Sequence, residues 1–409
     1  MSVHSSGRDL RVLLMSPLPD VDPFNGDVVY SLALLEQPPP GVTYVRYDEA
    51  LASGEVREHG RRQSIHETES LGQKVKAVAE VSRNHTVDLL RSAGALFREP
   101  FRFLEIVGSF DLVHCHTFSV NWTGRRTPVL VSNAVPLSEL YARARRWNPA
   151  RVRLASNSDR LLAHAFGVAH IEHGLGGADR VVAFTHTLRA WYVSHGVPAD
   201  RVGVVPCFPA DMPRSTEGDP VPDRVGFVAG DFVAKGGEIV LDAMSMVRRH
   251  KPEAQLWTAG EHPSRSDAEL EASGVHALGY LDRNELLRTF LPSCQVFAYP
   301  SSFDGLPLTL LEALAVGVPS VVSDYFALPE VVGDGGGGRV VAQHDPAALA
   351  EAILELLDPE THHRASAEAR ARYAATYAPD VVLPLLRANY DLAIEQHGAR
   401  PSERSLHRA

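Results

Sequence analysis

In YPSSFDGLPLTLLEALAVGVPSVVSD, residues 299 to 324, two acids, Asp304 and Glu312, stand eight positions apart, separated by a Gly-containing turn and a helix start and flanked by strand-like apolar runs. Pro307 suits the first helical position, where its missing N–H forfeits no bond, and Gly317 suits the stop, so a helix is expected from Pro307 to Val316. Within LTLLEALAV only Thr309 and Glu312 are polar, three apart on one face, so the remaining circumference must be buried. A carboxylate in such a helix costs on the order of several kcal/mol unless donors meet it, and a vicinal diol offers two hydroxyls. The amides at Leu308 and Thr309 lack intrahelical acceptors and suit an anion. These features fit a nucleoside diphosphate sugar: the diphosphate on the helix start, the ribose on Glu312, and the sugar on Asp304 with the backbone of Gly305 and Leu306. The same segment also reads as a buried βαβ helix whose glutamate is paired with an arginine.

Other residue patterns carry less chemistry. His114-Cys115-His116 ends an apolar strand, where alternation puts both histidines on one face and Cys115 on the other. A zinc site would need a third ligand that no spacing supplies. Asp20-Val21-Asp22 has the form of a D-x-D metal motif, but three common residues say little, and no metal is expected. Gly26 stands just before a helix that Asn25 or Asp27 would cap. HGLGGAD at 173 to 179 and DGGGGRV at 334 to 340 do not fit G-x-G-x-x-G between a strand and a helix, which disfavours a dehydrogenase. The arginines from Arg143 to Arg153, around Trp147, form either a solvated helical face or a weak peripheral contact with an anionic membrane.

The elements that must position these groups follow a βαβ rhythm. Apolar runs at 11 to 16, 111 to 116, 128 to 132, 180 to 185 and 201 to 206 read as strands of a parallel sheet. DMPRSTEGDPVPD, 211 to 223, has the composition of a linker, and the rhythm restarts after it with RVGFVAG, AQLWTAG, CQVFAYP, PSVVSD and GRVVA. The expected fold is therefore α/β: two facing, doubly wound, Rossmann-like parallel-sheet domains, with ligands in the cleft at the carboxyl ends of the strands. The boundaries fall at 1–214 for an N-terminal acceptor-binding domain, 215–375 for a C-terminal nucleotide-sugar-binding domain, and 376–398 for a last helix. A formal charge of −10 argues against a general nucleic-acid role. Cys115, Cys207 and Cys294 are odd in number and widely spaced, as in reduced thiols of a cytoplasmic protein. No apolar run is long enough to span a bilayer, and a cytoplasmic enzyme is the expectation.

The spacing of Asp304 and Glu312 resembles the E-x7-E motif of retaining GT-B glycosyltransferases, glycosyl transferases group 1, with an aspartate in place of the first glutamate. DLRVLLMSPLP at 9 to 19 resembles the opening strand of that family. ADRVVAFTHTLRAWYVSHGVPADRVGVVP at 178 to 206 resembles the end of its first domain, and LPEVVGDGGGGRVVAQHDPAALAEAILELL at 328 to 357 the segment after its acidic motif. The resemblance implies transfer of a sugar from a nucleoside diphosphate sugar to a hydroxyl acceptor with retention, no cofactor and no catalytic metal. It implies that His116 reaches the donor sugar, that Gly26 lets backbone approach the diphosphate, that Lys235 neutralises the diphosphate, that Tyr280 lies beside the base, and that the last helix crosses back to the first domain. The arginine that the family places near Lys235 is absent; Gly230 or Asp231 stands there, leaving Lys235 alone or helped by Arg224. A nucleotide-sugar epimerase of the same architecture and a noncatalytic nucleotide-sugar binder are the alternatives.

Overall fold

The computed structural model describes residues 8–16, 26–58, 102–116, 120–122, 127–133, 148, 150–155, 157–158, 178–210, 212–213, 219–302, 304–334 and 336–399. The first sheet is built from β1 (Leu10–Met15), β2 (Val42–Arg46), β5 (Leu112–His116), β7 (Val129–Asn133), β8 (Arg180–Ala183) and β9 (Val202–Val204), in the order β2-β1-β5-β7-β8-β9. Every pairing in it is parallel. Its central strands, LVHCH and VLVSN, are buried along their whole length, which is why they read as continuous apolar runs rather than as alternations. A small mixed sheet of β3 (Val56–Glu58), β4 (Arg102–Ile106) and β6 (Val120–Trp122) belongs to the same half and is not apparent in the sequence.

The second sheet repeats the plan with β10 (Arg224–Ala229), β11 (Gln255–Gly260), β12 (Val275–Ala277), β13 (Val296–Tyr299), β14 (Ser320–Ser323) and β15 (Gly338–Val341). The order β12-β11-β10-β13-β14-β15 is parallel throughout and reverses direction at β10, between β11 and β13. Strand order in the first sheet reverses likewise at β1, between β2 and β5. In such sheets the crevice for a ligand opens at the carboxyl ends of the strands beside this switch.

The helices that matter to the site are α1 (Gly26–Glu36), α2 (His186–Ser194), α3 (Gly237–His250), α4 (Leu308–Val316), α5 (Leu328–Val332), α6 (Pro346–Leu356), α7 (Pro359–Thr376) and α8 (Pro379–Gly398). The chain from Val205 to Ala210 is a buried strip, and one apolar cluster runs from Leu10, Val12 and Leu14 through Phe208 to Leu306, Leu308 and Leu311. Both sheets thus share apolar contact beneath the cleft. A second tie is polar: Glu330 of α5 accepts from the amides of His186 (2.6 Å) and Thr187 (2.9 Å), the first two of α2, while Thr185 Oγ1 caps the third, that of Leu188, at 3.1 Å. The third is α8, which packs against β5, β7 and β8 of the first sheet. Its Arg387, 4% exposed, donates to the carbonyls of Pro40 and Arg8, both at 2.8 Å.

Candidate functional site

Helix α4 starts at Leu308, one residue later than the sequence suggests; Pro307 is its N-cap with extended backbone (φ −75°, ψ 127°), because a proline here serves equally as the last extended residue. No side chain caps this start. Gly317 ends the helix with φ +79°, the left-handed conformation that glycine adopts without penalty. Glu312 is 2% exposed, and Arg283 donates to its Oε1 at 2.7 Å. Burial pushes the Glu312 carboxyl up, and the charge and hydrogen bond of Arg283 pull it part of the way back. The other arm of the guanidinium donates to the carbonyl of Ala210 at 2.6 Å, fastening the strip that leaves the first sheet to the carboxylate of the second. The structure therefore contains the Glu–Arg pair of the alternative reading. Arg283 is the residue that the sequence does not disclose: Asp282 marks a helix start by accepting from the amide of Glu285 (2.8 Å), but nothing local says that Arg283 reaches Glu312.

Lys235 and Asp304 are brought into direct contact. Residues 231 to 236 form a turn in which Asp231 Oδ1 accepts from the amide of Ala234 at 2.9 Å, so its carboxylate is committed to its own loop. Gly236 (φ +88°) closes that turn against Pro300; a Cβ there would lie 2.7 Å from the Pro300 carbonyl oxygen. This close approach places Lys235 Nζ on Asp304 Oδ1. Asp304 Oδ2 also accepts from Tyr299, and from Ser301 Oγ at 3.0 Å. A carboxylate has about four acceptor sites, so Asp304 keeps little capacity for sugar hydroxyls while these donors hold it. The side chain is one methylene shorter than glutamate and is drawn back onto the end of β13, against Lys235, Tyr299 and Ser301. Arg224 does not supply the missing arginine: it sits at the amino end of β10, about 17 Å of strand from the carboxyl end, with its guanidinium 3.8 Å from the Trp257 ring centroid.

The other wall comes from the first sheet. His114 and His116 both face Ser132 Oγ on β7, at 2.8 and 2.9 Å, as strand alternation requires. His114 is a satisfied core histidine, bonded also to Tyr390 Oη at 2.8 Å and held down to about 3 by burial. His116 is fully buried and sets Nε2 3.3 Å from Asp27 Oδ1. Asp27 lies inside the first turn of α1, whose first residue is Gly26, so it does not cap that helix; Asn25, Asp20 and Asp22 lie outside the described residues. Among the described residues, a Cβ built at Gly26 would meet only Leu308, at 3.9 Å. The start of α1 therefore faces the start of α4, and two helix N-termini converge on one place from opposite domains. Cys207 lies near both walls, since the charges of Asp27 and Glu312 add to the upward push that burial gives its thiol.

Tyr280 stands at the rim, 57% exposed, its hydroxyl donating to the Gly230 carbonyl at 3.3 Å. Gly305 and Leu306 are buried between β13 and α4, and Thr309 is partly exposed in the first turn of α4. Among the described residues no group of three or more His, Cys, Asp and Glu side chains could hold a metal ion, and no helix is long and apolar enough to cross a membrane. All three cysteines are buried and unpaired with one another. Of the arginine cluster, Arg143, Arg145 and Arg146 lie outside the described residues, and Arg151 and Arg153 are exposed.

Comparison with known proteins bears on this geometry. Residues 222–359 match the model of the family Glycosyl transferases group 1. The segment is a group 1 glycosyltransferase domain. This domain carries Lys235, Tyr280, Arg283, Asp304 and Glu312. The chain is 32% identical over 142 residues to a GDP-mannose-dependent alpha-(1-6)-phosphatidylinositol dimannoside mannosyltransferase of Mycobacterium tuberculosis, covering 34% of this chain and 37% of that protein. It is 30% identical over 249 residues to a D-inositol 3-phosphate glycosyltransferase of Mycolicibacterium gilvum, covering 54% of each. The chain thus spans between about a third and about half of the length of these relatives. The fold is GT-B, shared with Anabaena HepE solved in complex with UDP and glucose, at a TM-score of 0.55 and 15% identity over 96% of this chain and 100% of that one.

Proposed function

We propose that this chain is a retaining glycosyltransferase that moves a sugar from a nucleoside diphosphate sugar to a hydroxyl acceptor, with no resident metal. The observation that carries the reading is the fully buried Glu312, held ionisable by Arg283, one turn from an uncapped helix start that faces a second helix start and Lys235. Burying a carboxylate is costly, and a ribose diol is the kind of ligand that would repay it. Relatives that use GDP-mannose and a GT-B neighbour that binds UDP and glucose support the same class of donor.

In the mechanism that follows, negative charge grows on the departing diphosphate as the glycosidic bond stretches. The amides at the starts of α1 and α4 and the ammonium of Lys235 meet that charge more strongly in the transition state than in the ground state. Asp304 orients Lys235 and contributes its remaining acceptor site to the sugar; His116 faces the sugar from the other domain; Tyr280 lines the base. Retention follows from attack on the face of departure: the acceptor hydroxyl forms the new bond to the anomeric carbon and gives its proton to the leaving phosphate oxygen. Incubation with UDP-, GDP-, ADP- and dTDP-sugars and a panel of alcohol acceptors, with the product's anomeric configuration read by NMR, tests this. An axial donor must give an axial product. An equatorial product refutes retention, and an isomerised donor formed without acceptor replaces the reading with an epimerase.

A further inference from the structure

Glu312 and Arg283 are unequally covered: the glutamate side chain is 2% exposed and the arginine 30%, so the guanidinium lies on the outer side of the carboxylate. Its Nη1 donates to Glu312 Oε1 at 2.7 Å and its Nη2 to the Ala210 carbonyl at 2.6 Å, while its Nε is buried and bonds to no described residue. The two bonded arms belong to one rigid planar fork, so neither can turn aside beyond hydrogen-bond tolerance without carrying the other. Ala210 ends a strip that begins at Val205, whose amide donates to the Ala183 carbonyl of β8 at 3.0 Å. Val205, Cys207, Phe208 and Ala210 are all buried, and Phe208 sits in the apolar cluster shared by the two sheets. The strip is thus tied to the first sheet at Val205 and, through Arg283, to Glu312 of the second half at Ala210.

We propose that Arg283 is a displaceable latch: a ligand diol that takes the Glu312 carboxylate turns the guanidinium aside, and the same movement lets go of the Ala210 carbonyl, so that filling the site releases the strip between the two sheets. The proposal rests on the donor-site reading above. Its first step follows from coverage, because a ligand reaching a carboxylate that is 2% exposed must enter where the guanidinium stands. The exchange is close to balanced: two hydroxyls donating to an ionised carboxylate replace one charge-assisted bond, and the guanidinium, already partly exposed, returns to water. The second step follows from the carbonyl left behind. Ala210 would keep a buried acceptor with no donor, so the strip shifts until water or another donor meets it. The ribose alone drives the latch, since the phosphates, held at the helix starts, do not compete for Glu312.

Hydrogen–deuterium exchange of the full chain tests this. Pro206 and Pro209 have no amide, so the strip reports through Cys207, Phe208 and Ala210. The probes are the tightest binder among UDP, GDP and ADP, its nucleoside, and inorganic pyrophosphate, each at saturation. With the diphosphate or the nucleoside, exchange at these amides should quicken about tenfold, the scale of one hydrogen bond to a charged group; with pyrophosphate it should not move. Arg283→Lys keeps a cation beside Glu312 but lacks the fork that holds both partners. Its strip should exchange at the ligand-bound wild-type rate with no ligand present, and nucleoside should add nothing. Wild-type exchange that nucleoside leaves unchanged or slows overturns the latch, as does quickening by pyrophosphate alone or an Arg283→Lys strip as slow as the wild type's. Glu312→Gln separates the two readings. If that variant loses nucleoside binding while the wild-type strip does not respond, the latch falls and the donor site stands; if it binds nucleoside as tightly as the wild type, the donor site falls and the latch with it.

Discussion

Glu312 separates stability from function at a single residue. Its carboxyl is pushed up by burial, so the folded protein holds that proton more tightly than the unfolded chain does. The group therefore contributes stability below the ordinary glutamate range, and this is lost as pH rises through the folded value; at neutral pH the ionised form burdens folding, offset by Arg283. Glu312→Gln should leave the unfolding free energy unchanged to within about 1 kcal/mol, or raise it, while nucleotide affinity falls sharply. Chemical denaturation and calorimetry measure the two sides; an equal loss of both would mean that Glu312 is only structural. Arg283→Met removes the offset, so Glu312 moves further up and is more protonated at neutral pH. Nucleotide affinity of that variant should be weaker than the wild type's at the same pH and recover as pH is raised. Glu312, Asp304 and Lys235 are legible in the sequence because their types and local spacing carry the signal. Arg283 is not, since its meeting with Glu312 is 29 residues distant and set by tertiary packing.

At the scale of elements, the proposed function gives the diphosphate to two helix starts. Gly26→Ala tests this, because among the described residues a Cβ at Gly26 meets nothing nearer than Leu308 at 3.9 Å and should be accommodated by the fold. The variant is expected to keep its thermal midpoint and to lose about tenfold in nucleoside diphosphate affinity, with nucleoside affinity retained; the scale is that of one hydrogen bond to a charged group. Equal weakening of both ligands would place the diphosphate elsewhere. The strands that frame these helices were legible where they are central: β1, β5, β10 and β13 are largely buried on both faces and mostly apolar. β2, with Thr43 exposed and Arg46 at its end, and β3, with Arg57 exposed, are short and carry exposed polar residues, so composition hides them. The turn at 231 to 236 likewise depends on the contact of Gly236 with Pro300, which no local pattern announces.

For the whole molecule, the last helix makes the first sheet depend on the end of the chain. Arg387 of α8 donates to the carbonyls of Pro40, Gly41 and Arg8 and pairs with Asp391, and Tyr390 shares a hydrogen bond with His114. Arg387→Ala should lower the unfolding free energy by about 2–3 kcal/mol, because it removes the charge-assisted bonds that a buried guanidinium makes to three carbonyls, and hydrogen exchange should show the loss in β1 and β2. The two-sheet architecture and the linker composition could be read from apolar rhythm. The path of α8 could not, because an amphipathic helix states which face is buried and not which sheet covers it. The central claim concerns a ligand held between the two sheets, so the most direct measurement is a crystal structure of the chain with a nucleoside diphosphate. The ribose hydroxyls should lie on Glu312 and the two phosphates at the starts of α1 and α4 beside Lys235. A nucleotide bound elsewhere, with Glu312 still closed on Arg283 and these helix starts unused, would contradict the account.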